Sequence, residues 1–264
     1  MIIRLFRFAG RLLFAALLAT TASQALADTV LITGASSGIG LEFAKEYAEK
    51  GWTVIATYRH EVAPESLRPL IAKYPKVRGE TLDVTSHDQV QQLKNKLGDL
   101  PIDVLINNAG IYQFGATYDN QLFGKLDYDL FDRFMDTNVK GPMMVTEAFI
   151  NNVRAGKQKK IISISSSHGM VTQPPIVKGA FWYGTSKAAL NKMMMTLSYV
   201  LKPDNVIVVL FHPGAVLTER QANLKFPGMI ETTVSVGNMI RVIDKLTMAD
   251  TGHFLLYDGS IQAW

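Results

Sequence analysis

DTVLITGASSGIGLEFAKEYAEKG, Asp28 to Gly51, is the stretch on which the fold of this chain turns. Thr29 to Thr33 is a short apolar, β-branched run, the composition of a strand buried on both faces of a parallel sheet. Gly34, Gly38 and Gly40 follow at once, and then Leu41, Phe43, Ala44, Tyr47 and Ala48 recur at helical spacing. The order is strand, glycine-rich turn, helix. Each glycine has a physical use there: a tight turn, close approach of the backbone to a ligand, and close packing of helix on strand. The free N–H groups and positive dipole end of the helix suit a pyrophosphate. Three glycines alone mark only a turn; the flanking strand and helix make nucleotide binding the better reading.

Working outward, the 27 residues before this unit carry Arg4, Arg7 and Arg11, an apolar run from Leu12 to Ala19, and Ala25-Leu26-Ala27, an A-x-A cleavage pattern. Basic start, apolar centre and small-residue site come in the order of a secretory signal, and the apolar run is short for a bilayer span. The expected division is therefore 1–27 as signal peptide or N-terminal anchor and 28–264 as one domain. Export to a periplasm is the favoured location, with a cytoplasmic or N-terminally anchored chain as the alternative. Without the leader the net charge falls from +4 to +1, 24 basic against 23 acidic residues. The basic balance thus gives no support for nucleic-acid binding. There are no cysteines, which excludes disulfides and thiolate metal sites, and no other metal site is expected. No linker, repeat or low-complexity segment divides the 264 residues.

Thr33-Gly34-Ala35-Ser36-Ser37-Gly38-Ile39-Gly40 resembles the TGxxxGxG motif of the short-chain dehydrogenase/reductase family, with Thr33, Gly34, Ser36, Ser37, Gly38, Ile39 and Gly40 at the cofactor. Serine at position 37 separates it from the TGxxGxxG form of the family's longer branch. Further motifs follow in the family's order. Thr53 to Tyr58 reads as a second strand with Arg59 at its end, where an acid would bind the ribose hydroxyl of NAD and an arginine suits the 2′-phosphate of NADP. Tyr58 and Arg59 therefore favour NADP, with NAD the alternative. Val77 to Val84 reads as a third strand. The resemblance places Asp83 and Val84 beside the adenine, although Asp83 equally suits capping of a helix from Ser86 to Leu97. A fourth strand, Asp103 to Ile106, runs into Asn107-Asn108-Ala109-Gly110, the family's NNAG motif, which implies that Asn108, Ala109 and Gly110 line the cofactor cleft.

A long helix is expected over Tyr128 to Ala155, with Phe131, Phe134, Met135, Val139, Met143 and Val145 as core positions. Asn138 within it matches the asparagine that in the family kinks this helix and holds a relay water. After a fifth strand, Lys160 to Ser165, the resemblance makes Ser166 the catalytic serine, with Ser165 and Ser167 as near alternatives and His168 a loop residue. Tyr183 and Lys187, at i and i+4, share a helix face and match the family's YxxxK; the helix is expected to reach about Leu201. Asn205 to Phe211 is a sixth strand leading to Pro213, Gly214, Val216 and Thr218, similar to the family segment that closes over the nicotinamide. A helix over Val234 to Leu246 and a strand over His253 to Leu256 complete the domain. The ending Tyr257-Asp258-Gly259 with Trp264 is similar to the C-factor and sniffer-like carbonyl reductase branch.

The expected fold is a single doubly wound α/β domain with a mostly parallel, seven-stranded sheet of Rossmann type. The resemblance implies hydride transfer between a nicotinamide cofactor and a small carbonyl or alcohol. Tyr183 would be the general acid/base, its phenolate favoured by the Lys187 ammonium and by an oxidised nicotinamide, and Lys187 would also hold the nicotinamide ribose. Ser166 would polarise the substrate oxygen and Asn138 would complete a proton relay. Phe181, Trp182, Ile176 and Phe226 are candidates for an apolar substrate pocket. The rival is a nucleotide-binding signalling protein of the C-factor type with little turnover. Homo-oligomerisation is open, and no stable membrane span is expected unless the leader is retained.

Overall fold

In the computed structural model, which describes residues 27–112, 119–174, 179–219 and 227–264, the apolar runs become the strands of one parallel sheet. These are β1 (Thr29–Ile32), β2 (Thr53–Tyr58), β3 (Val77–Thr81), β4 (Val104–Asn107), β5 (Lys160–Ile164), β6 (Ile207–His212) and, last in the chain, β9 (Phe254–Leu256). Two-residue strands β7 (Val216–Leu217) and β8 (Ile230–Glu231) pair only with each other. The order β3-β2-β1-β4-β5-β6-β9 reverses direction of travel between β1 and β4. That is a topological switch point, where the carboxyl ends of the strands leave a crevice. The third strand stops at Thr81 instead of Val84, because Asp83 Oδ1 accepts from the Thr85 N–H and hydroxyl and folds the chain into a turn. The helix cap is Ser86, whose hydroxyl accepts from Gln89 N–H.

Helices cover both faces, so the inner strands carry no polar alternation, whereas the edge strand β3 exposes Arg78. On one side Val30 and Ile32 of β1 meet Phe43 and Tyr47 of α1 (Gly38–Glu49), Leu70 of α2 (Arg68–Lys73) and Met239 and Ile243 of α7 (Thr232–Lys245). On the other, Leu31 and Leu105 meet Leu93 of α3 (His87–Leu97), Phe149 of α5 (Gly141–Ala155) and Met194 of α6 (Phe181–Leu201). Each such large apolar side chain taken from water contributes roughly 1.5–3 kcal/mol. Two full cores hold the sheet between its helices.

The expected long helix is continuous but not uniform. α4 (Asp129–Met135) passes into one π turn, Asp136–Lys140, and then into α5. Pro142 is the physical cause: it has no N–H to return to the carbonyl of Asn138, and Gly141 N–H bonds instead to Asp136. Phe134 and Val145 are in the core as expected, whereas Phe131 is exposed and packs edge-on against Trp182. Among the described residues no helix is long and apolar enough to cross a membrane. Residues 1–26 lie outside the described residues, and so do Ile176 and Phe226.

Candidate active site

The glycine turn is built by mutual hydrogen bonding between the ends of β1 and β4. Thr33 Oγ1 accepts from the N–H groups of Asn108 and Ala109, both at 3.0 Å, and Asn108 Nδ2 donates to the carbonyls of Thr33 and Gly34 at 2.9 and 3.0 Å. The amide of Asn108 is thus spent on holding the turn. Gly34 has φ +68° and faces Ala109, and a Cβ on Gly40 would overlap the Gly34 carbonyl and the Asn108 amide. Only glycine fits either place.

The N-terminus of α1 opens into this crevice. Ser37 precedes it without a side-chain cap, and no acid stands in the first turn. The Gly38 N–H instead donates to the carboxylate of Glu219 at 3.2 Å, and Thr218 packs against Gly38. An anionic oxygen on that amide is what a diphosphate would supply, so the cradle fits a dinucleotide. Ser36 and Ile39 border the same turn, and Tyr58 and Arg59 stand at the carboxyl end of β2, Arg59 exposed. Asp83 and Val84 follow the end of β3, and Pro213, Gly214 and Val216 follow β6. These residues therefore follow the carboxyl ends of their strands.

Tyr183 and Lys187 lie on the buried face of α6, 8% and 7% exposed. Lys187 Nζ donates to the carbonyl of Ile164 at 2.9 Å and sits 5.8 Å from the Tyr183 ring centre. Gly110 closes over this pair: a Cβ there would lie 3.2 Å from Asn138 Oδ1 and 3.8 Å from Lys187 Nζ. Asn138 is fully engaged, its Oδ1 accepting from Ile111 N–H and its Nδ2 donating to Ile111 O and Ser186 Oγ. Ser186 Oγ in turn donates to the Tyr183 carbonyl. The π turn is what carries Asn138 inward to these partners.

Ser166 is the serine whose hydroxyl bears on the Tyr183 phenol, where it acts to lower the pKa. Ser165 points elsewhere, donating to Asn191 Oδ1 at 2.5 Å. Burial pushes the Tyr183 phenol up to about 12, with the Ser166 hydroxyl pulling the other way, and pushes the Lys187 ammonium down to about 8. In the protein alone desolvation dominates both groups, whereas the expected lowering of Tyr183 by Lys187 and an oxidised nicotinamide concerns the cofactor-bound state. The supposed apolar pocket residues also differ. Phe181 is 43% exposed against Phe123, and Trp182 packs on Tyr128 and Phe131. Besides Phe134, the rings packed on Tyr183 are Tyr112 and His168. Neither these two nor Asn191 and Ser186 could be singled out from the sequence, since only packing across distant segments brings them to the tyrosine.

Comparison with known proteins accords with this geometry. Residues 28–226 match the family described as short chain dehydrogenase. The chain is similar to the C-signal of Myxococcus xanthus, 35% identical over 167 residues that make up 62% of this chain and 93% of that protein. Among solved structures it resembles NADPH-bound carbonyl reductase from chicken fatty liver, with TM-score 0.81, 27% identity and 90% and 99% of the two chains covered. It also resembles the carbonyl reductase Sniffer of D. melanogaster, with TM-score 0.80, 26% identity and coverage of 90% and 100%.

Proposed function

The chain belongs to the short-chain dehydrogenase family, and from that membership we propose that it reduces a small carbonyl compound with NADPH, or oxidises the corresponding alcohol. The observation that carries this reading is the buried set of Ser166, Tyr183 and Lys187 beside the glycine turn at the carboxyl edge of the sheet. A nicotinamide held there supplies the hydride. The glycine turn and the uncapped end of α1 would hold its diphosphate, Arg59 its 2′-phosphate, and Lys187 its ribose.

The protein's own part is proton supply and polarisation. The Tyr183 phenol is protonated at neutral pH, as an ordinary tyrosine is, and Tyr183 would deliver that proton to the carbonyl oxygen. Ser166 would hydrogen-bond the same oxygen and stabilise the charge that develops on it. Asn138, locked to Ile111 and Ser186, would keep the floor of the site in register with Tyr183. Similarity to C-signal favours a second reading, nucleotide binding in signalling with little turnover. We also propose export, with residues 1–27 removed.

The test is oxidation of NADPH by purified protein against a panel of aldehydes and ketones. Tyr183→Phe keeps the ring and removes the proton, so turnover should fall by at least ~10²-fold with NADPH affinity nearly unchanged. A variant that matches wild type on a substrate whose chemical step is rate-limiting removes Tyr183 from the mechanism. No turnover on any carbonyl, with NADPH bound tightly, would favour the signalling reading.

A further inference from the structure

We propose that His168 is a positioning residue for carbonyl reduction, its Nδ1–H holding the Ser166 hydroxyl so that the serine proton points at the substrate oxygen. This rests on the reading of Ser166 given above and deepens it.

Ser166 ends β5 and caps a single 3₁₀ turn, Ser167–Gly169. The His168 backbone N–H donates to Ser166 Oγ at 3.2 Å, and the ring nitrogen Nδ1 of the same residue lies 3.2 Å from that oxygen. A serine hydroxyl has one proton and two acceptor positions. The backbone N–H fills one of them. A bare Nδ1 would take the serine proton for itself and leave nothing for the substrate. A protonated Nδ1 fills the second acceptor position and frees Oγ–H to donate onward.

The other ring nitrogen decides between these. Nε2 is buried and has no hydrogen-bond partner among the described residues. A buried N–H without an acceptor is rarer and costlier than a bare lone pair, which places the proton on Nδ1. Burial also keeps the ring neutral by lowering its pKa, so only one nitrogen carries hydrogen near neutral pH. The resulting chain, Nδ1–H to Oγ–H to the substrate oxygen, strengthens each bond in it.

The ring is held in this pose. Tyr183 and Tyr112 meet it edge-on at centroid distances of 5.4 and 6.1 Å. The turn that carries it presses directly on α6, where a Cβ on Gly169 would come within 2.7 Å of the Lys187 backbone, and Asn191 Nδ2 ties the Gly169 carbonyl at 3.3 Å. Besides the two tyrosines, the titratable groups facing the ring are His212, itself pushed down to about 4 by burial and by His168, and Lys187 beneath the turn.

The experiment compares His168→Asn, His168→Gln and His168→Leu in the NADPH–carbonyl assay. An asparagine amide overlays Nδ1, while a glutamine amide reaches only to Nε2. Leu should lower kcat by roughly tenfold or more, the loss of a contact that works through one oxyanion donor, with KM for NADPH unchanged. Asn should recover most of the rate and Gln should not. In a Ser166→Ala background, His168→Leu should cost nothing further, since the group it acts through is gone. Equal rates for Asn and Gln, undiminished kcat in Leu, or an additive loss in the Ser166→Ala background would overturn the proposal. If Leu does not fold, the Asn and Gln pair still decides it. Ser166→Ala with wild-type turnover would instead overturn the reading of Ser166 itself, so the two failures are distinct.

Discussion

Lys187 is a buried ammonium that the fold holds at a cost. Its folded pKa, about 8, lies below the usual lysine value of 10.5, so between these pH values the unfolded chain binds more protons than the folded one. Stability therefore rises with pH across that window, and the penalty is fully present below pH 8. Lys187→Met should unfold at pH 7 in no less urea than wild type. Wild type should then gain on the variant as pH is raised from 8 towards 10. A stability difference that stays flat over this range would show that burial does not perturb Lys187. Arg59 tests another single group. As partner of a 2′-phosphate it makes a charge-assisted contact of roughly 1.5–3 kcal/mol. Arg59→Ala should weaken NADPH about tenfold or more in titrations while sparing NADH; equal losses would make it structural. At this scale the sequence was readable where one element carries both partners, as the i, i+4 spacing of Tyr183 and Lys187 does. It was silent on Asn191, Tyr112 and the ring of His168, whose roles depend on segments tens of residues apart.

The glycine turn and α1 form the element on which cofactor binding depends, and two glycines separate packing from propensity. Gly40→Ala would drive a methyl into the Gly34 carbonyl and the Asn108 amide. Overpacking of this kind costs about 1–3 kcal/mol, so the thermal midpoint should fall by several degrees and NADPH binding should weaken. Gly237→Ala, inside α7 with only Glu46 Oε1 near at 3.8 Å, should leave the midpoint unchanged or raise it slightly, since glycine is a poor helix former. Similar midpoints for both variants would show that Gly40 is not a close-approach position. Elements were largely legible because strands buried on both faces read as unbroken apolar runs. Their ends were not: β3 runs short because Asp83 prefers its own turn, and the π turn owes its place to Pro142.

For the molecule as a whole, Asp28 enters at the opposite edge of the sheet from the site, tied to Lys157 and Gln158 at 3.0 and 2.9 Å. Cleavage after Ala27 would leave β1, which begins at Thr29, whole. Amino-terminal sequencing of protein from its native cell should find a chain starting at Asp28 in the periplasmic fraction; a Met1 start in the cytosol sinks the export proposal. The doubly wound plan itself was legible from the succession of strands and helices, but which strands neighbour one another came from the family resemblance and not from composition. That neighbourhood has a kinetic meaning. β1 sits between β2 and β4, with Val30 opposite Val104, so the first strand made waits for a partner more than seventy residues downstream. Until β4 arrives, β1–β3 present a raw parallel edge, and long-range parallel pairing is slow. During synthesis or passage through a membrane, that exposed edge is where aggregation would start and where a chaperone would have to stand guard.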